Sequence, residues 1–287
     1  MSPEAAALSD SEPRPPEVTV AIPAYNASRY LAETIDAVRR QSFTDWELVV
    51  VDNASTDDTG LVIERIFEAA NDTRMRVVRN SRTVSPADNW NIAISHARGR
   101  YLKLLCADDL PTADCLERQV AALDDNPSAS LAAGSRIIIN GRGRRLFVRN
   151  GIGRTGLYPG RRMIRRCIMS GTNIIGDPVT VMWRRSAMEQ VGVFDTGSLY
   201  CIDVEYWLRL LGVGDLYYDA VPVGFYRVHA QATATSLTKV TVDDFERTAR
   251  LQAGRGTVRL SGSDVRILRM KSWLQSKLRQ AIYRWLG

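Results

Sequence analysis

The sequence predicts an α/β fold built on a mostly parallel sheet with helices against both faces. Three observations lead there. Short runs rich in Val, Ile and Leu alternate with helical periodicity from residue 18 to residue 105, the alternation of a parallel sheet. The turns leaving two of these runs carry carboxylates, Asp52 after the second and Asp108 with Asp109 after the fourth. Open α/β sheets bind ligands at that edge, where aspartates either cap the next helix or hold a hard cation through oxygen. No GxGxxG or GxxxxGK[ST] follows any run, which argues against a dinucleotide oxidoreductase and a P-loop enzyme.

Residues 1–16 form a polar, proline-bearing leader, expected to be disordered. The first strand covers 18–22, and Pro23-Ala-Tyr25-Asn26 leaves it. Ser28 can cap a helix with Leu31, Ile35 and Val38 at helical spacing. The second strand, 46–51, ends at Asp52. Ser55 with Asp58 reads as a capping box for a helix reaching Ile66, so Asp57 and Asp58 are capping residues rather than ligands. A third strand covers 75–78. Ser85-Pro86-Ala-Asp88 then opens a helix to about His96, with Pro at its first position. The fourth strand, 101–105, runs into Asp108-Asp109.

The second half is less regular. A helix over 113–123 precedes a strand near 131–139, a basic hairpin turn at 140–145 and a short basic helix over 163–169. Residues 178–183 are strand-like. A helix over 204–211 carries Arg209 on its outer side, and two short strands, 216–218 and 224–228, lead to His229. Trp90, Trp183 and Trp207 read as core.

The totals restrict the function classes. At 45% hydrophobic and 24% charged residues the chain is globular apart from its leader. The net charge of +6 is concentrated in residues 142–166 and at the C-terminus, a pattern suited to a polyanion or membrane surface. The basic residues lack an aromatic platform on a recognised nucleic-acid-binding fold, so no nucleic-acid role is expected. Cys106, Cys115, Cys167 and Cys201 show no CxxC pair and read as reduced thiols of a cytoplasmic protein. There is no signal-peptide core and no run of the roughly 18 to 20 apolar residues that spans a bilayer.

Four segments, in order and spacing, resemble the inverting family-two glycosyltransferases of the GT-A fold: VTVAIPAYN, ELVVVDNASTDDT, ARGRYLKLLCADD, and GVFD with IDVEYWLRL and YRVH. The resemblance spans about 17–230 and implies a glycosyltransferase domain over 17–240. Its nucleotide-binding half would be 17–110 and its acceptor half 111–240, with a helical extension over 241–287. It implies a nucleotide-diphosphate sugar donor, UDP by default with dTDP and GDP open, a saccharide or lipid-linked acceptor, and Mg2+ or Mn2+.

The resemblance also implies residue roles. Pro23, Tyr25 and Asp52 would surround the donor nucleotide, with Asn89 as a further contact. The family's Asp-x-Asp metal signature falls on Cys106 and Asp108, so a thiol, a poor ligand for a hard cation, replaces the first carboxylate. Asp108, Asp109 and His229 would then hold the metal, and Arg227 would neutralise phosphate charge. Asp203 would be the catalytic base; its other reading is a helix N-cap, and Glu205 is the alternative base.

At the C-terminus Ile267, Met270, Trp273, Leu274, Leu278, Ile282 and Trp285 recur at three- and four-residue steps among six basic residues, with Asp264 the single acid of 264–287. This basic amphipathic helix fits either the cytoplasmic face of a membrane or a docking site on protein. Two rivals to the enzyme are a nucleotide-sugar-binding protein without turnover, suggested by Cys106, and a membrane-surface adaptor.

Overall fold

The computed structural model describes residues 14–229 and 240–286, with side chains as far as residue 281. Most of the expected leader lies outside these residues. Arg14 already belongs to the folded chain, donating to Asp45 at 3.0 Å.

The first half alternates as its periodicity requires: β1 (Val18–Ala24), α1 (Leu31–Arg39), β2 (Trp46–Asp52), α2 (Thr59–Ala70), β3 (Met75–Arg79), α3 (Pro86–Ser95) and β4 (Tyr101–Leu104). β3, β2, β1 and β4 lie side by side, all parallel. Every residue of β2 is buried, which a strand covered on both faces demands. Ser85 caps α3 as expected, its side chain accepting from Asp88 N at 3.1 Å. The other two caps differ. Tyr30 and Asp58 occupy the N-cap positions of α1 and α2 without side-chain bonds, while Ser28 and Ser55 serve inter-loop contacts instead.

The second half comprises β5 (Leu110–Pro111), α4 (Cys115–Asp125), β6 (Ala129–Asn140), β7 (Arg145–Arg149), β8 (Gly156–Tyr158), α5 (Gly160–Ser170), a 3-10 turn (Pro178–Thr180), β9 (Val181–Arg184), α6 (Arg185–Val191), α7 (Ile202–Leu210) and β10 (Asp215–Val228). The sheet order is β3-β2-β1-β4-β9-β6-β10-β5, with β7 on β6 and β8 on β10. β9 is antiparallel to both β4 and β6, so the sheet is parallel in its first half and mixed in its second. The two short strands expected over 216–228 are one strand, β10, whose pairing with β6 shifts register between Asp219 and Gly224.

One core cluster lies on each side of the sheet. Trp183 and Trp207 are fully buried and pack with Phe194, Tyr206 and the half-buried Trp90, in agreement with their assignment to the core. Arg209 faces inward, not outward. It bonds Glu205 Oε2 at 3.0 Å and donates to the carbonyls of Val191 and Val193.

Two helices complete the described chain, α8 (Val240–Gly254) and α9 (Gly262–Leu286). α8 is stitched to the domain: Asp244 Oδ2 accepts from Ser198 Oγ and from the backbone N–H groups of Leu199, Tyr200 and Cys201 at 2.7 to 3.1 Å. No described helix is long and apolar enough to cross a membrane.

Candidate active site

The strand ends of β1 and β2 form one wall of the site. Asn26 adopts φ 48°, a left-handed conformation that Asn tolerates. This brings its Oδ1 to accept from Thr56 N at 2.9 Å, while its own N–H donates to Ser55 Oγ at 3.0 Å. Asp57, expected as a cap, crosses between the loops and accepts from Ser28 N and Thr59 N. Burial pushes its carboxyl up, but bonds from Thr59 and Ser28 outweigh that and hold it below the usual range. The two loops are thus one rigid unit. On it Tyr25 is 50% exposed, and Asp52 is buried with Oδ1 accepting from Ser55 N at 2.9 Å. Asp52 Oδ2 has no hydrogen-bond partner; the guanidinium of Arg79 lies 3.5 Å away. A buried carboxylate oxygen with an ion pair but no hydrogen bond suits a ligand N–H. Pro23 lies within β1 beside this loop. Asn89 is a correction. It is buried, and its Oδ1 accepts from Asn80, which also donates to Asn53. Asn89 Oδ1 therefore helps to fix the chain between β3 and α3.

The turn after β4 brings carboxylates together. Thr34 Oγ1 holds it, 3.0 Å from the carbonyl of Ala107 and 3.1 Å from that of Asp109. Ligand atoms of Cys106, Asp108 and Asp109 lie within 4.8 Å of one another. Asp109 Oδ1 accepts from Arg227 N at 2.8 Å, while its buried Oδ2 has no partner. Burial, and then the charge of Asp108, push the Asp109 carboxyl well above its ordinary range. His229 Nε2 lies 2.8 Å from Asp108 Oδ2, placing the imidazole against the same carboxylate. These donors fit a hard divalent cation: two carboxylates, one with an orphaned oxygen, and a nitrogen within reach. Burial, and then the charges of Asp109 and Asp108, raise the Cys106 thiol well above its ordinary value, and a thiol is a poor partner for a hard cation.

Arg227 departs from its expected role. Its side chain is 2% exposed and is committed to the Asp108 carbonyl at 2.8 Å and to Glu33 at 2.7 Å. It holds the carboxylate turn from behind, where a phosphate contact is closed to it.

Asp203 faces this cluster from α7. It is the second residue of that helix and not its cap, the N-cap position being Cys201. Asp203 Oδ1 accepts from Val204 N at 2.7 Å, and Oδ2 accepts from Asn173 Nδ2 at 2.8 Å. Asn173 is itself fixed, its Oδ1 accepting from Ile175 N and Gly176 N. Burial, and then the nearby Asp177 carboxylate, push Asp203 up to about 7, against the opposing bonds from Val204 and Asn173. Asp177 pairs with Arg136, which is 2% exposed. Asp109, Asp108, Asp177 and Asp203 all lie near enough for their charges to raise the Cys106 thiol. Glu205 is excluded as an alternative base: it is fully buried and locked at 3.0 Å to Arg209 and 2.8 Å to Arg255.

Asp177, Arg136 and Asn173 were not legible as site residues. The rule used on the sequence places ligands at C-terminal strand ends, and Asp177 precedes β9. Because β9 is antiparallel to β4, its N-terminal end lies at the site edge. The Asp-Pro turn before an apolar run was the available signal.

A model of Glycosyl transferase family 2 matches residues 19–192, more than half of the chain. The chain belongs to glycosyl transferase family 2. Among relatives of this family 2 enzyme, EpsE of Bacillus subtilis (strain 168) is 28% identical over 224 residues, covering 76% of this chain and 75% of EpsE. The Escherichia coli UDP-Glc:alpha-D-GlcNAc-diphosphoundecaprenol beta-1,3-glucosyltransferase WfgD is 32% identical over 123 residues, 43% of this chain and 47% of WfgD. Among solved structures, S. aureus TarS 1-349 in complex with UDP-GlcNAc aligns with TM-score 0.63 at 15% identity, covering 93% of this chain and 91% of that one. The mannosyltransferase PcManGT of Pyrobaculum calidifontis, in complex with GDP-Man and Mn2+, aligns with TM-score 0.61 at 19% identity, covering 94% and 74%. The family 2 enzyme thus has the GT-A fold, a central mixed sheet flanked by helices. The family match ends at residue 192, before Asp203 and the helices that pack behind it.

Proposed function

We propose that this glycosyltransferase moves a sugar from a nucleoside-diphosphate sugar, UDP in the first instance, to an acceptor hydroxyl with inversion at the anomeric carbon. One observation carries the reading. Asp203, raised to about 7, shares its crevice with Asp108 and Asp109, which are suited to a divalent cation. Such a carboxylate is poised for proton transfer at neutral pH.

The donor nucleoside lies over Pro23 and Tyr25, and the open Oδ2 of Asp52 accepts an N–H from the base. Asp108, Asp109 and His229 hold Mg2+ or Mn2+, which when bound stabilises the charge gained by the departing diphosphate. Asp203 accepts the proton of the acceptor hydroxyl as that oxygen bonds to the anomeric carbon. The bond from that carbon to the diphosphate oxygen breaks on the opposite face, and the electron pair leaves with the diphosphate. Asn173 keeps Asp203 Oδ2 aimed during the transfer.

The names of the relatives support the donor class: TarS with UDP-GlcNAc, PcManGT with GDP-Man and Mn2+, and WfgD with UDP-Glc and a diphosphoundecaprenol-linked acceptor. The WfgD name supports a saccharide or lipid-linked acceptor for this chain too, and with it a part in surface polysaccharide or glycolipid synthesis. Four unpaired cysteines suit the cytoplasm. Residues 17–240 form the catalytic domain and 241–287 its helical extension.

The test is a melting-temperature screen of nucleoside diphosphates with Mn2+, followed by hydrolysis of the matching nucleotide sugar without acceptor. Metal-dependent stabilisation with slow hydrolysis supports the enzyme. Stabilisation without hydrolysis, in every nucleotide sugar tried, would favour the binder that Cys106 suggests.

A further inference from the structure

Helix α9 turns its less apolar face inward. Leu268, Ser272 and Ser276 are buried where the helix packs on α5 and α8, and Ser272 Oγ has no hydrogen-bond partner there. The contact with α5 is close. Gly171 ends that helix at φ +70°, and a Cβ on it would stand 2.6 Å from Ser272 N. The helix is therefore already docked on the protein through Leu268 and the two serines, and five of its large apolar residues do not serve that docking. Ile267, Met270, Trp273, Leu274 and Leu278 are 39, 62, 55, 58 and 55% exposed. Their steps of three and four residues place them along one outward stripe.

The charge around the stripe identifies what covers it. No Asp or Glu occurs from residue 265 to the end of the sequence. Arg266 and Lys277 are exposed and meet no carboxylate among the described residues, and the Lys277 ammonium lies 6.0 Å from the centre of the Trp273 ring. A lysine above an exposed indole buries its stem in apolar surroundings and lifts its charge to the headgroup level. A second copy of the chain would set these cations against their own kind, since a two-fold contact pairs a patch with itself. An anionic surface complements them.

We propose that the outward stripe of α9 rests on an anionic lipid bilayer, holding the protein on the membrane surface. This surface does not depend on the glycosyltransferase reading; combined with that reading, it makes a membrane-anchored acceptor the natural substrate class.

The experiment uses the full chain and sedimentation with phosphatidylcholine vesicles, with or without phosphatidylglycerol. The wild type is expected to sediment with the anionic vesicles and to be released by salt. A Met270→Ser, Leu274→Ser, Leu278→Ser variant should partition at least about tenfold more weakly, because three exposed apolar side chains lose their burial in lipid. Arg266→Gln and Lys277→Gln should each cost about fivefold on anionic vesicles and little on neutral ones. Unchanged melting temperatures show that all variants are folded. Equal sedimentation of wild type and triple variant, or no sedimentation of the wild type, overturns the proposal. So does a dimer by light scattering that the triple variant dissociates, since the occupant is then a second copy. Hydrolysis of nucleotide sugar in solution separates the two readings. The triple variant should keep it, and vesicle binding by a wild type without hydrolysis would refute the enzyme while leaving the surface intact.

Discussion

Asn173 Nδ2 donates to Asp203 Oδ2 at 2.8 Å, a bond between the loop after α5 and the first turn of α7. It joins residues thirty positions apart in the chain and fixes which carboxylate oxygen of Asp203 stays bound and which lies against the helix N–H. Replacing Asp203 by Asn keeps its size and removes its basicity. Transfer should fall by about 10²- to 10⁴-fold, with metal-dependent donor affinity unchanged by calorimetry. The wild-type rate should rise with pH through about 7 as the carboxylate forms. The stability effect has the opposite sign. A carboxyl raised to about 7 in the fold favours the native state at low pH, and that contribution is lost as pH rises through about 7. The melting temperature of the wild type relative to Asp203→Asn should therefore decline between about pH 4 and pH 7 and level off above that.

Neighbours of Asp203 should move its titration in opposite directions. The bond from Asn173 lowers the Asp203 pKa and the charge of Asp177 raises it. In Asn173→Ala the pH at half-maximal rate should shift upward; in Asp177→Asn it should shift downward. Asp177→Asn should also lower the melting temperature, because buried Arg136 loses its ion partner. The pH–rate profile checks both, and two shifts of the same sign would remove Asp203 from the role of base.

At the carboxylate turn, Asp108→Asn should leave the fold intact and abolish most of the manganese-dependent gain in nucleotide affinity, since a neutral amide binds a hard cation weakly. Cys106→Asp should tighten manganese binding or leave it unchanged, because it adds an oxygen donor where the thiol is held protonated. Calorimetry with Mn2+ and nucleoside diphosphate measures both, and a large loss in Cys106→Asp would mean that the position serves packing.

Glu205→Gln tests the distinction between base and framework. It removes the charge facing both Arg209 and Arg255, and should destabilise the fold by about 3 kcal/mol or more. Activity should fall only in proportion to the folded fraction, measured by circular dichroism on the assayed sample.

Asp244→Ala should lower transfer without touching the donor site. Its carboxylate accepts three backbone N–H groups of residues 199–201, the segment that enters α7 immediately before Asp203. The expected result is a lower melting temperature and a slower rate at saturating donor, with nucleotide affinity preserved. This variant also measures how far the helices beyond the family match belong to the active site.

The first half of the fold, and the edge at which the site lies, follow from local residue order. Val, Ile and Leu runs at 18–22, 46–51 and 101–105 need burial on both faces, and only strands between helix layers provide it. The carboxylates Asp52, Asp108 and Asp109 follow those strands in the chain, so their common edge was legible from local order alone. Tertiary structure decided the rest. The reversal of β9 carries Asp177 to the site, and the packing of α8 and Arg255 behind α7 turns Glu205 into a buried ion pair. Arg227 and Asn89 were expected as ligand contacts; burial against Glu33 and Asn80 commits them to holding the loops. The outward face of α9 was equally undecided in sequence, where an amphipathic period gives two faces but not which one the protein covers. That choice fell to the close contact at Gly171, which admits Ser272 and leaves Leu274 and Leu278 in the open. Periodicity is a property of neighbouring residues, whereas a hydrogen bond or ion pair between distant segments exists only once the fold has brought them together.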